Sequence, residues 1–201
     1  MYKNQMTLQR ITSILLLVAA VLVFVYSLGI MTDLYDSLYL VSQYDPVDDE
    51  IFYVEGSQIY LEMQEFNREL TKAGIILILS AVSLFVFRSN DRRKYYIANY
   101  VTIGVNAVLN IAVAIWMRAE VLEYKAQFLN MDFDRLHEVT VTLLRLKKEI
   151  NTSCFWFDLV NVVVGVLFAV TALSIFNLVF KIVLMRKERE LVKQGLEENH
   201  G

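Results

Sequence analysis

The chain has 201 residues, 56% of them hydrophobic, and a positive mean hydropathy of +0.44, above the ~45–50% apolar share of soluble domains. A formal net charge of −3 gives no reason to expect a nucleic-acid partner, and the single cysteine, Cys154, excludes an internal disulfide. The apolar excess sits in four blocks free of Asp, Glu, Lys and Arg: residues 11–32, 73–87, 95–117 and 159–180. A soluble chain of this size cannot hide four such helices from water, so the blocks predict an all-α membrane protein with four transmembrane helices.

The first span, 11–32, follows Lys3 and Arg10, which resemble the basic start of a signal peptide. Its apolar run continues past Ser27 and Gly29 to Met31, longer than a cleaved signal core. It is therefore expected to stay as a span. The loop 33–72 carries ten acidic residues against Arg68 and Lys72 alone. Its knot of Asp45, Asp48, Asp49 and Glu50 lacks the fixed spacing and turn glycine of a calcium loop, which predicts a solvated acidic turn around Pro46, the lone proline. Ile59, Met63, Phe66 and Leu70 then recur at 4, 3 and 4, the pattern of an amphipathic helix leading into the second span.

That second span, 73–87, has only 15 uncharged residues and crosses ~30 Å only if Lys72 and Arg88 snorkel to the two interfaces. The loop 88–94 holds Arg88, Arg92, Arg93 and Lys94, four basic residues in seven positions, with Ser89, Asn90 and Asp91 as turn formers. Lys and Arg concentrate on the cytoplasmic side, so this loop and both termini are expected in the cytoplasm.

In the third span, 95–117, Asn99, Thr102, Asn106 and Asn110 are spaced 3, 4 and 4 and share one helix face. A polar stripe in lipid faces protein or water. It reads first as interhelical packing through amide hydrogen bonds, and second as the lining of a conduit. Met117, Val121, Tyr124 and Phe128 carry an apolar seam onward into the loop 118–158, and Leu136, Val139, Leu143, Leu146 and Ile150 form a heptad-like run on its return arm. The outgoing arm, 118–130, is ~20 Å long as a helix and the return, 134–157, ~36 Å, so the return must break or lie down. The poor helix formers Asn151, Thr152 and Ser153 mark the place. The seams predict that the second, third and fourth spans extend as helices into a small extracytoplasmic bundle.

The fourth span, 159–180, contains Asn161, Asn177 and the small pair Gly165 and Ala169, a close-packing pattern within the chain or toward a partner. Residues 181–201 read as a short charged cytoplasmic tail, with Lys181 as its first residue. His137, His200 and Cys154 make no metal-ligand spacing, and no phosphate loop, nucleophile elbow or H-E-x-x-H pair occurs. No catalytic residue, cofactor or metal is therefore assigned. The plan of four spans and two outside loops is similar to that of claudins and tetraspanins, but their loop cysteine motifs are missing. With no stapled loop, a bacterial cytoplasmic membrane is expected. The whole chain, 1–201, reads as one membrane domain. Its expected role is a non-enzymatic accessory or interaction subunit of a bacterial membrane complex, transporter-associated or part of a cell-surface assembly, whose partners are the lipid bilayer and either another membrane protein or further copies of itself. A small oligomeric channel or transporter with a polar path along the third span is the alternative.

Overall fold

The computed structural model describes residues 2–87, 96–145 and 150–198, leaving out of account the basic loop 88–94 as well as Tyr95 and Leu146. Among the described residues six α-helices follow in chain order: α1 (Tyr2–Gly29), α2 (Thr32–Leu38), α3 (Ile59–Val86), α4 (Tyr96–Leu129), α5 (Phe133–His137) and α6 (Phe155–Glu198). No strand occurs among the described residues. α1, α3, α4 and α6 are each long and apolar enough to cross a membrane. Their outward side chains fit lipid: Val18, Val25, Leu28, Leu79, Val101, Val108, Ile115, Val162 and Phe176 are all exposed, as a hydrocarbon solvent permits and water does not.

The chain divides into two compact units: unit 1 comprises Met1–Ala20, Ile76–Ala112 and Val166–Gly201, and unit 2 comprises Val21–Ile75 and Val113–Gly165. In unit 1 an apolar cluster of Leu16, Ala81, Leu84 and Ile103, flanked by Leu17, Val170 and Leu178, joins α1, α3, α4 and α6.

Unit 2 is aromatic. Phe66 of α3 lies 5.2 Å from the ring of Trp116 and 5.5 Å from that of Tyr124, both on α4, and Phe128 lies 5.2 Å from Phe133 and 5.4 Å from Phe157. Ring pairs at these spacings add ~0.5–1.5 kcal/mol beyond burial. Ile59, Met63, Leu70, Val121, Leu136 and Val139 are buried with them, while Tyr124 is half-buried.

The return arm departs from a continuous heptad helix. After α5, whose Asp132 cap accepts from the Arg135 amide at 2.9 Å, residues Glu138–Leu143 form a π-helical turn. Leu144 ends it, and Arg145 adopts φ +52. Residues 150–154 are non-helical, held by the Ser153 amide donating to Asn151 Oδ1 at 2.9 Å and the Asn151 amide donating to Ser37 Oγ at 3.2 Å. α6 thus starts at Phe155, extending the expected fourth span by one turn at this end. The physical reason for the break is local: a wider π turn shifts the side-chain register, and Asn and Ser side chains compete for the backbone. Leu143 is correspondingly 37% exposed, outside the seam expected of it, and Ile150 is half-buried. α6 also runs on at its other end, to Glu198.

Two glycines permit close approach inside unit 2. A Cβ on Gly74 would sit 3.0 Å from Phe24 Cα and 3.2 Å from its backbone nitrogen, and one on Gly29 would overlap the Trp156 ring. On Gly165 it would meet nothing. Gly74→Val is therefore expected to destabilise the purified protein by ~1–3 kcal/mol, as overpacking does, whereas Gly165→Ala should leave the melting temperature unchanged or slightly higher; thermal unfolding in detergent compares them.

Candidate functional site

The most concentrated polar chemistry lies inside unit 1, where Gln5, Gln9, Asn99, Asn106, Asn110, Thr171, Ser174, Asn177 and Lys181 are all buried. α1 supplies Gln5 and Gln9 one turn apart, α4 supplies Asn99, and α6 supplies Asn177 and Lys181 one turn apart. Lys181 Nζ donates to Asn99 Oδ1 at 2.6 Å and to Gln9 Oε1 at 3.2 Å. Gln5 Nε2 donates to Gln9 Oε1 at 3.3 Å and to Asn177 Oδ1 at 3.2 Å, and Asn99 Nδ2 donates to the Phe87 carbonyl, beside the end of α3, at 3.2 Å. One ammonium thus connects groups from α1, α4 and α6, and through Asn99 the end of α3. The Tyr100 ring centroid stands 5.9 Å from Nζ, within cation–π range.

The amide orientations follow from this chemistry. An ammonium only donates, so Gln9 and Asn99 must turn oxygens toward it; a carbonyl only accepts, so Asn99 must turn Nδ2 toward Phe87. Lys181 is 5% exposed. A buried charge is tolerable only where hydrogen bonds replace water, and Lys181 makes two of them, to Gln9 and Asn99.

The third-span stripe divides. Asn99 belongs to the lysine cluster. Asn106 Nδ2 donates to Ser80 Oγ of α3 at 3.0 Å, and Asn110 Nδ2 donates to Asn106 Oδ1 at 3.0 Å. Thr102 is only half-buried and donates to the Ala98 carbonyl of its own helix at 2.8 Å. Thr171 Oγ1 is buried and has no hydrogen-bond partner among the described residues.

The fourth-span residues divide as well. Asn177 is buried in the cluster, but Asn161, Gly165 and Ala169 are exposed, and a Cβ on Gly165 would meet nothing within 4 Å among the described residues. Asn161 Oδ1 accepts from Arg118 Nε at 3.2 Å. Reading Lys181 as the first tail residue passed over its role, although Thr171, Ser174, Asn177 and Lys181 recur at 3, 3 and 4 and continue one polar face of α6.

Elsewhere, Asp45 Oδ1 accepts from the Val47 amide at 2.8 Å across Pro46, a local turn contact. Among the described residues no group of three or more His, Cys, Asp or Glu side chains is placed to hold a metal. Comparison with family models, curated proteins and solved structures finds no match to this chain, so the functional reading rests on its own geometry.

The network makes its members unequal. Asn99→Leu, which strips the ammonium of its shortest bond and leaves the Phe87 carbonyl unmatched, should cost ~2 kcal/mol or more. Thr102→Val should stay within ~0.5 kcal/mol. Denaturant or thermal titration of both variants in the same detergent checks the ranking.

Proposed function

We propose that this multi-pass membrane protein is a non-enzymatic interaction subunit of a complex in a bacterial cytoplasmic membrane, with both termini in the cytoplasm. The observation carrying this reading is the direction in which polarity points. The buried amides of unit 1 are bonded to one another, to Ser80 and to Lys181, as expected of groups that hold helices together. The outward surface is apolar and includes Gly165, a position at which the chain itself sets no requirement for smallness. Small residues on a lipid-facing helix allow another helix to approach closely.

A second reading, a small oligomeric channel or transporter, draws on the inward placement of Asn99, Asn106 and Asn110 on α4. Against it, Asn110 donates to Asn106 and Asn106 to Ser80, so each amide is already engaged in a bond within the chain.

One set of variants separates the two. Gly165→Leu should leave melting temperature and expression unchanged but release any membrane protein that co-purifies in mild detergent; retention of the partner at wild-type stoichiometry overturns the assigned surface. Paired replacement of Asn106 and Asn110 by Leu should lower stability, and liposomes bearing the unmodified protein alone should show no flux. A robust flux abolished by the Leu pair would sink the interaction-subunit reading.

Orientation is tested separately in a Cys154→Ser background. Cysteines at positions 90 and 199, replacing Asn90 and Asn199, should be shielded from an impermeant thiol reagent in intact cells, and one replacing Asp48 should be labelled. The reverse pattern overturns the orientation drawn from charge.

A further inference from the structure

We propose that the amide oxygens of Gln9 and Asn99 form a site for a small monovalent cation, and that the Lys181 ammonium is its tethered occupant in this structure. The inference stands whether or not the chain serves as an interaction subunit. The groups recorded around Nζ are two neutral oxygens, at 2.6 and 3.2 Å, and an aromatic face at 5.9 Å. Neutral carbonyl-type oxygens are what replaces the hydration shell of a monovalent ion, and ring faces attract cations.

The neighbouring donors exclude the opposite assignment. An anion site would aim amide N–H groups at the ion, but Asn99 Nδ2 is committed to the Phe87 carbonyl, and Gln5 Nε2 to Gln9 Oε1 and Asn177 Oδ1. Those donors point at other oxygens and fix the acceptors toward the cation. Gln9 Oε1 receives both Lys181 and Gln5, so its position does not depend on the lysine alone. Three residues from two helices, Gln5 and Gln9 on α1 and Asn177 on α6, remain linked when the lysine is removed. Gln9 Oε1 thus stays held by Gln5, and Asn99 Oδ1 is kept in place by the bond of its own Nδ2 to the Phe87 carbonyl, so a free cation of ammonium size can take the place of Nζ. Lys181 acts as a built-in competitor for that place.

The test uses the full chain in detergent. Lys181→Ala is melted in N-methyl-D-glucamine chloride, potassium chloride and ammonium chloride at equal ionic strength. The variant should melt several degrees below wild type with the bulky cation and recover at least half of the loss, saturably, with ammonium or potassium. Adding Asn99→Leu should abolish the recovery, and wild type should melt alike in all three salts. Equal melting of Lys181→Ala in the three salts, or a recovery that survives Asn99→Leu, overturns the site. If Lys181→Ala does not fold in any of the salts, the lysine-bearing chain decides. Gln9→Glu, which places a carboxylate where the cation is held, should melt at or above wild type, whereas Gln9→Leu should melt below it. A Gln9→Glu variant as destabilised as Gln9→Leu overturns the proposal.

Discussion

In lipid a polar side chain has no solvent to fall back on, and the interior of unit 1 meets that constraint around the Lys181 ammonium. The Lys181 ammonium is nearly sealed from the surface and bonded to Gln9 and Asn99. A buried charge is tolerable only where hydrogen bonds replace water, so the positions of three helices become mutually conditional. Gln9 must be at its height on α1, Asn99 at its height on α4, and Lys181 at the matching turn of α6. Because Asn99 also caps the Phe87 carbonyl, the end of α3 enters the same condition. Apolar contacts such as those of Leu16 with Ala81, Leu84 and Ile103 supply area but tolerate small slips. The amide–ammonium set does not, since a one-residue slide would turn its members by about 100°.

Unit 2 is specified by shape instead. Its aromatic pairs on α3, α4 and α6 interlock at 5.2–5.5 Å, and its polar contacts fasten the irregular segments. Arg135 donates to the Ile51 carbonyl at 2.6 Å, and Ser37 and Asn151 exchange hydrogen bonds. Tyr26 reaches the Trp156 carbonyl at 3.0 Å, satisfying a phenol that is otherwise buried. Long-range bonds of this kind allow a segment with little regular structure to hold one conformation.

The sequence made the four long helices legible because lipid demands contiguous apolar runs, and such runs survive any uncertainty about neighbours. Asn99, Asn106 and Asn110 were legible for a related reason: polar residues in hydrocarbon announce an inward face. Lys181 was not, because counting charges to delimit a span treats every lysine as a boundary, whereas a lysine one turn beyond Asn177 can continue the polar face inward. The 136–150 seam failed differently. Periodicity assumes ~100° per residue, and a π-helical turn at Glu138–Leu143 breaks that assumption, leaving Leu136 and Val139 buried but Leu143 exposed. Spacing also identified Gly165 and Ala169 as neighbours on one face without telling whether the chain itself covers it.

That uncovered face links structure to role. A glycine inside a helix costs ~1 kcal/mol relative to alanine through backbone entropy, and the chain offsets this cost at Gly74, where α1 backbone lies 3.0 Å from a hypothetical Cβ. At Gly165 nothing among the described residues does so, and α6 there is flanked by the exposed Val162 and Phe168. Lipid chains do not require the absence of a methyl group, since they fill whatever contour they meet. A neighbouring helix does, because close backbone approach is where small residues bring their gain in packing. The interaction role proposed above would place such a close approach at Gly165.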